Sequence, residues 1–472
     1  MRQAALALAL AATAGPVMAA SFQVSNLADS GPGSLRQAVL DANALAGADE
    51  VTFQPLLTGA IVLTSGEIPI TDDLVVSGPG AGVLAVSGNR SSRIFRVNDG
   101  TAVVREVTIS GLALTQAEVQ EFGWIYGGAV QVIGEDLTVL DSTVSQSAAL
   151  PIGATTKGLG GGIASLGGNL RIERSTVTGN QVSWGSLSGR PSVGANLYVE
   201  GGSLTLLDSV VSNGSGDMGS GVYLQGGTHV IHRTAIVDNS ALFAVGAGIA
   251  IDAGELDVEE STLSGNGGGA LVLFDGAVVR VVNSTISGNT GALRGAGADV
   301  LDATLDLRLT TVSGNSGSDG NLSVYTGGTI NLDHAIVANG SPQDLFRESG
   351  TINAVYSLAE TPGTAINGTN ANNRLGVDPG LGPLADNGGP TETHSLLSGS
   401  PAINAGDPFL PAPPATDQRG PGFVRIFGGR VDLGSFERQS AEAVIEVPAL
   451  SAAGLAALLA LLAATGLWVL RR

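Results

Sequence analysis

Through the middle of the chain, hydrophobic and polar positions alternate over short runs such as Leu204-Thr205-Leu206 and Leu256-Asp257-Val258. Alternation of period two marks a strand buried on one face only. A hexapeptide follows these runs again and again: Ser142–Ser147 (STVSQS), Ser175–Asn180 (STVTGN), Ser209–Gly214 (SVVSNG), Thr234–Asn239 (TAIVDN), Ser261–Asn266 (STLSGN), Ser284–Asn289 (STISGN), Thr310–Asn315 (TTVSGN) and His334–Asn339 (HAIVAN). A glycine-led block precedes most copies, from Gly127–Val132 (GGAVQV) to Gly320–Val324 (GNLSV). Each unit therefore reads strand, Gly corner, strand, corner, strand, Gly-Asn corner. The later copies start 23–27 residues apart, which is the period of a right-handed parallel β-helix and too short for a WD-type blade. The expected fold is all-β, a solenoid whose coils stack at about 4.8 Å. Inward positions such as Ile163, Val222, Ile249 and Ile286 would form its aliphatic ladders. The Asn column (Asn180, Asn239, Asn266, Asn289, Asn315, Asn339) is expected to supply left-handed corners and to stack amide on amide.

The regular pattern has irregular flanks. Ser34-Leu35-Arg36-Gln37 is a capping box, and Leu35, Ala38, Val39, Ala42 and Ala46 make one apolar stripe. This predicts a helix over 34–46 lying across the first coil, where a solenoid needs a cap. Past His334 the repeat fades into a Gly-, Pro-, Asn- and Asp-rich stretch at 376–437, expected to close the other end.

Composition narrows the functional class. The chain has 70 Gly among 472 residues, 43% hydrophobic residues and no Cys, so disulfides, thiol chemistry and Cys-based zinc sites are excluded. The net charge of −20, with Lys157 as the sole lysine, argues against nucleic acid as a partner, because that needs a basic surface. No cofactor and no metal site is expected.

Both ends read as addresses. Met1–Arg2, the apolar run Ala4 to Ala14 and the small residues at 17–20 form a signal peptide. Ala449 to Leu470 is uncharged and ends in Arg471 and Arg472, the pattern of a transmembrane helix with its basic end in the cytoplasm. Val447, Pro448, Ala449 and Leu450, followed by Gly454, the apolar span and Arg471-Arg472, resemble the IPTL-CTERM sorting signal of Gram-negative bacteria. Asp386-Asn387-Gly388-Gly389-Pro390-Thr391, Ser400-Pro401-Ala402-Ile403-Asn404-Ala405-Gly406, Asp417-Gln418-Arg419-Gly420 and Asp432-Leu433-Gly434-Ser435-Phe436-Glu437 together resemble the choice-of-anchor Q domain of β-helical bacterial surface proteins. That likeness implies attachment through a C-terminal signal; it does not imply a proven catalytic activity. The expected organisation is thus 1–20 signal peptide, 21–50 capping segment, 51–340 β-helix, 341–440 choice-of-anchor Q-like closing region and 441–472 sorting signal.

Catalytic constellations are sparse, and no catalytic residue is assigned. Asp72–Asp73 reads as a corner, and Asp417, Arg419, Asp432 and Glu437 as a structural ion-pair network. One feature exceeds the needs of a scaffold. Early repeats start 33–35 residues apart, and the extra residues fall at 112–126, 147–159 and 181–193. In-register insertions emerge on one face of a solenoid. They carry Trp124, Tyr126, Lys157, Trp184 and Arg190, a candidate ligand face because aromatics stack on sugars or anchor a protein. The expected function is an exported, envelope-anchored, adhesin-like or structural surface protein that binds a glycan or protein without catalysis and meets an envelope sorting protease. The alternative is a polysaccharide lyase or glycosidase.

Overall fold

The computed structural model describes residues 19–182, 191–242, 246–291 and 294–439. The expected signal peptide and the sorting tail with Val447, Pro448, Ala449, Leu450, Arg471 and Arg472 lie outside the described residues, as do Trp184 and Arg190. Residues up to Glu437 form one compact unit, described below.

Each repeat folds as anticipated into three short strands, and each strand pairs in parallel with its counterpart one coil away. The result is three long sheets of 14, 13 and 11 strands. One coil runs through Val222–Gln225, Thr228–His232 and Ala235–Val237. Its partners in the next coil are Ile249–Asp252, Glu255–Glu259 and Thr262–Ser264, residue for residue. We call the sheets containing these three strands C, A and B in that order. The alternation places Val222, Leu224, Ile231 and Ile236 inside with no exposed surface. Ile163, Ile249 and Ile286 are buried in the same core.

The corner between sheets A and B is left-handed in coil after coil. Asp141, Arg174, Asp208, Arg233, Glu260 and Asn283 all have φ between 46° and 53°, a conformation that disfavours any residue with a Cβ. Two side-chain devices hold it. The Ser or Thr that follows donates its hydroxyl back to a carbonyl two residues earlier, as Ser142 does to Leu140 (2.6 Å) and Ser261 to Glu259 (2.6 Å). The same hydroxyl accepts the amide of the equivalent residue in the previous coil: Ser142 from Leu112, Ser175 from Ser142, Ser209 from Ser175, Thr234 from Ser209, Ser261 from Thr234 and Ser284 from Ser261. Outside, Arg174 pairs with Asp141 at 2.8 Å and Arg233 with Asp208 at 2.6 Å.

The Asn column stacks, with two corrections. Only Asn339 (φ 56°) takes the left-handed conformation expected of its members; for the others Gly179, Asp238, Gly265, Gly288 and Gly314, one position earlier, take that role. The column also differs in membership. Each Nδ2 donates to the next Oδ1 through Asn180, Asn196, Asn239, Asn266, Asn289, Asn315 and Asn321, ending on the Asp344 carboxylate, with all links between 2.8 and 3.0 Å. Asn196 enters from a neighbouring strand because its coil carries Gly214 at the hexapeptide position; the Gly214 amide donates to Asn239. Asn339 is exposed and stands outside the ladder, with its Nδ2 on Ser313.

The helix predicted over 34–46 is α1 (Leu35–Asn43), with Ser34 as N-cap accepting from the Gln37 amide. Leu35, Ala38, Val39 and Ala42 are its buried stripe, packed in the core with Val24, Val51 and Ile68. α1 is the one helix among the described residues, and none there is long and apolar enough to cross a membrane.

Residues 378–437 fold back along the flank of sheet B rather than over its end. Gln418 bonds Ser261, Thr262 and Thr285; Ser435 bonds Thr285 and Thr311; His394 bonds Ser287 at 2.8 Å. The outward Thr and Ser of three successive coils are thereby buried, whereas Thr143 and Thr176 in earlier coils are half-exposed.

Candidate functional site

Among the described residues, the insertions at 112–126 and 147–159 and the ends of the one at 181–193 lie on one face, and their short strands continue the stacking. Glu118–Val119, Ala148–Ala149, Gln181–Val182, Ser215–Gly216 and Ser240–Ala241 form a five-stranded sheet. Phe122–Tyr126 and Ile152–Leu159 pair in parallel as a two-stranded ribbon. Val119, Ile125, Ala149, Val182 and Ala195 make a small core of their own beneath this wall. Burial of that cluster lets the ribbon stand beside sheet C instead of collapsing onto it.

Two of the five anticipated residues, Trp124 and Lys157, come together. Trp124 lies opposite Lys157 in the ribbon register, and the Lys157 Nζ sits 5.3 Å from the centre of the indole ring. Trp124 remains 49% exposed and Phe122, two residues before it, 83%. Tyr126, two positions further on, is half-buried. Its ring is 6.2 Å from Tyr198, which stacks on Tyr223 at 5.9 Å. These tyrosines pack with Leu159, Ala164 and Val193 between wall and sheet. Tyr126 therefore serves the wall's own packing, and Trp124 is its presented ring.

Tyr198, Glu200, Tyr223 and Gln225 are site residues that sequence reasoning missed. They belong to two adjacent sheet C strands in register, and the signal was a tyrosine at the same position in both glycine-led blocks. Tyr198 donates to Glu200 at 2.8 Å and lies 3.1 Å from Gln225 Oε1. Burial, with the Glu200 carboxylate beside it, pushes the Tyr198 hydroxyl well above its ordinary range, and burial does the same to Tyr223. Both stay neutral donors at any physiological pH.

Trp124 stands between two hollows. One, of about 170 Å³, is lined by Trp124, Lys157, Tyr198, Glu200, Tyr223 and Gln225, among others. The other, of about 480 Å³, includes Glu67, Arg93, Arg96, Glu121, Trp124 and Gln131 in its lining. Arg93 anchors the foot of the wall, donating to the Gly127 carbonyl at 2.7 Å and the Tyr126 carbonyl at 2.9 Å. It is also ion-paired with Glu67, and Arg96 is 4.0 Å from the same carboxylate. The site thus offers an exposed ring, side-chain hydrogen-bond acceptors and charges already matched in pairs.

The other acidic groups fold the chain. Asp72 pairs with Arg105 at 3.0 Å, and Asp73 accepts the Glu106 amide. Arg419 is buried against Asp417 at 2.6 Å and held between the Phe423 and Phe436 rings, each at 3.8 Å. Asp417 accepts the Glu437 amide, while the Glu437 carboxylate accepts those of Asp432 and Phe427. Among the described residues no group of three or more Asp, Glu or His is placed to hold a metal.

The family of right-handed β-helix regions matches residues 92–301 and 195–357, more than half of the chain. The protein belongs to that family, so the coils wind right-handed. A solved structure of pectate lyase Pel9A is similar at a TM-score of 0.41 and 12% identity, over 90% of this chain and 98% of that one. No curated protein matches the sequence.

Proposed function

We propose that the protein is an exported surface protein, anchored in the cell envelope of a Gram-negative bacterium, whose β-helix presents the Trp124 wall to a glycan or protein partner and does no chemistry on it. The observation that carries this reading is the half-exposed Trp124 ring, held by Lys157 over two adjoining hollows. A ring fixed between polar acceptors suits stacking on a sugar face or anchoring a partner. The anchoring part rests on the signal-like Met1–Ala20 segment and the sorting tail from Val447 to Arg472. Residues 378–437, with the choice-of-anchor Q-like motifs, lie between the coils and that tail. In this reading α1 caps the first coil, a processing protease recognises the tail, and the Ala449–Leu470 span holds the chain in a membrane.

Titration of a glycan array with the full chain, beside a Trp124→Ala, Trp184→Ala variant, tests the ligand face. Loss of at least tenfold in affinity for a ligand of the wild type is expected; unchanged binding removes the idea. Intact mass of the mature protein from envelope fractions tests the two addresses.

A second reading, a polysaccharide-active enzyme, draws on Asp299. It lies on sheet C, accepts from Ser323 at 2.8 Å and faces Arg294 at 3.3 Å. Burial pushes its carboxyl up to about 6, a range suited to general acid–base work. Reducing-end or unsaturated-uronate release that disappears in Asp299→Asn, assayed with and without Ca2+, would support it; binding without turnover supports the first reading.

A further inference from the structure

Resting on the glycan reading above, we propose that the cleft along sheet C takes an extended, electrically neutral glycan and discriminates against uronate polymers. The two hollows share Trp124, and their linings reach from Arg96 on the sheet C strand Phe95–Val97 to Gln225 on Val222–Gln225, a run of five adjacent strands. At about 4.8 Å per coil this is roughly 19 Å of groove parallel to the helix axis, enough for several sugar residues in a row. Direction follows from the architecture. The wall and sheet C both extend from coil to coil, so the space between them runs the same way.

The charge pattern selects the ligand. An anionic polymer needs cations free to meet its carboxylates, and among the described residues the two hollows set theirs beside other groups. Arg93 is tied to Glu67 and two carbonyls, Arg96 lies 4.0 Å from Glu67, and Lys157 lies over the Trp124 ring. Glu121 and Glu200 add negative charge to the lining, and the whole chain carries −20. A polyanion would meet repulsion both at long range and at contact. Hydroxyl groups fare better, because Glu121, Gln131, Glu200 and Gln225 offer acceptors and the indole offers a face for the apolar side of a pyranose.

Isothermal titration of the full chain in detergent would use three probes of equal length: a chitin hexamer, a xylan hexamer and a galacturonate hexamer. At least one neutral hexamer is expected to bind at least tenfold tighter than the galacturonate, with less than a twofold change between 50 and 300 mM salt. Trp124→Ala should weaken it at least tenfold, and Trp124→Phe should restore most of that loss by keeping a stacking ring. Equal or tighter binding of the galacturonate, or a steep salt dependence for the neutral sugar, overturns the selectivity and leaves glycan binding standing. Binding of none of the three, or neutral binding that Trp124→Ala leaves unchanged, overturns the assignment of this cleft as the glycan site.

Discussion

At the scale of single residues, the interior amides bear a large share of the specificity. Asn266 is fully buried; its Oδ1 accepts both the Asn239 amide and the Asn239 Nδ2, and its own Nδ2 serves Asn289 and the Ile236 carbonyl. Removing it strands several buried polar groups at once, so Asn266→Ala should cost about 3 kcal/mol. Asn339→Ala, at an exposed hexapeptide Asn outside the ladder, should cost under about 1 kcal/mol; the urea midpoints of the two variants check the contrast. The recurring Asn was plain in the sequence, but Asn196 was not. It lies in another block and joins the ladder only because Gly214 leaves room and its strand happens to face inward there. The left-handed corner at the end of the hexapeptide was misplaced by one residue, onto the Asn instead of the Gly or Asp before it, and the left-handed corner between sheets A and B was not read at all. Asp, Arg and Glu precede the repeated Ser or Thr, and only the alternating charges up that column hinted that coils pair at this point.

A second residue-scale prediction concerns pH. Burial, reinforced by Asp432, pushes the Glu437 carboxyl up from 4.5 to about 7, against the opposing pull of Arg425 and the backbone amides it accepts. The folded chain therefore holds this proton more tightly than the unfolded chain does. Its contribution to stability is full below about pH 4.5 and is lost as pH rises through about 7. Glu437→Gln should flatten that part of the stability profile, measured as thermal midpoints from pH 4 to 8.

At the scale of elements, the wall and the returning strap follow different rules of legibility. Repeat steps of 33–35 residues announced the wall, because an insertion in register must stack on its neighbours. The direction of each side chain was not announced. Tyr126 and Trp124, two residues apart on one strand, ended in a packed stack and at the surface respectively, because Tyr126 meets the Tyr198 ring while Trp124 lies beside Lys157. The strap had no period to read, and its docking site was hidden in the outward Thr and Ser of sheet B, which look the same in covered and uncovered coils. Gly434 is one place where it fits tightly against the coils. It has φ +82°, and a Cβ there would lie 2.5 Å from Thr311 Oγ1 and 2.8 Å from an Ile336 methyl. Gly434→Ala should loosen the strap at a cost of about 3 kcal/mol, seen as faster tryptic cleavage at Arg419 and Arg425, both now buried.

At the scale of the whole molecule, one long core runs through the coils from Val24 to Ala365, and the strap adds a second. Sequence periodicity was enough to find the first because every coil repeats one solution to the same packing problem. The face proposed for binding has a different origin. It comes from where the wall and sheet C diverge, and from the pairing of Arg93, Arg96 and Lys157 with groups distant in sequence.

The amide ladder has a polarity: every link from Asn180 points toward Asp344, and a carboxylate receives the last donor. A column with a sense of direction accepts new members only whole. A duplicated winding that brings its own inward carboxamide hands the chain of dipoles onward without interruption, whereas a partial one breaks the relay. Lineages of such proteins would then lengthen or shorten in complete turns.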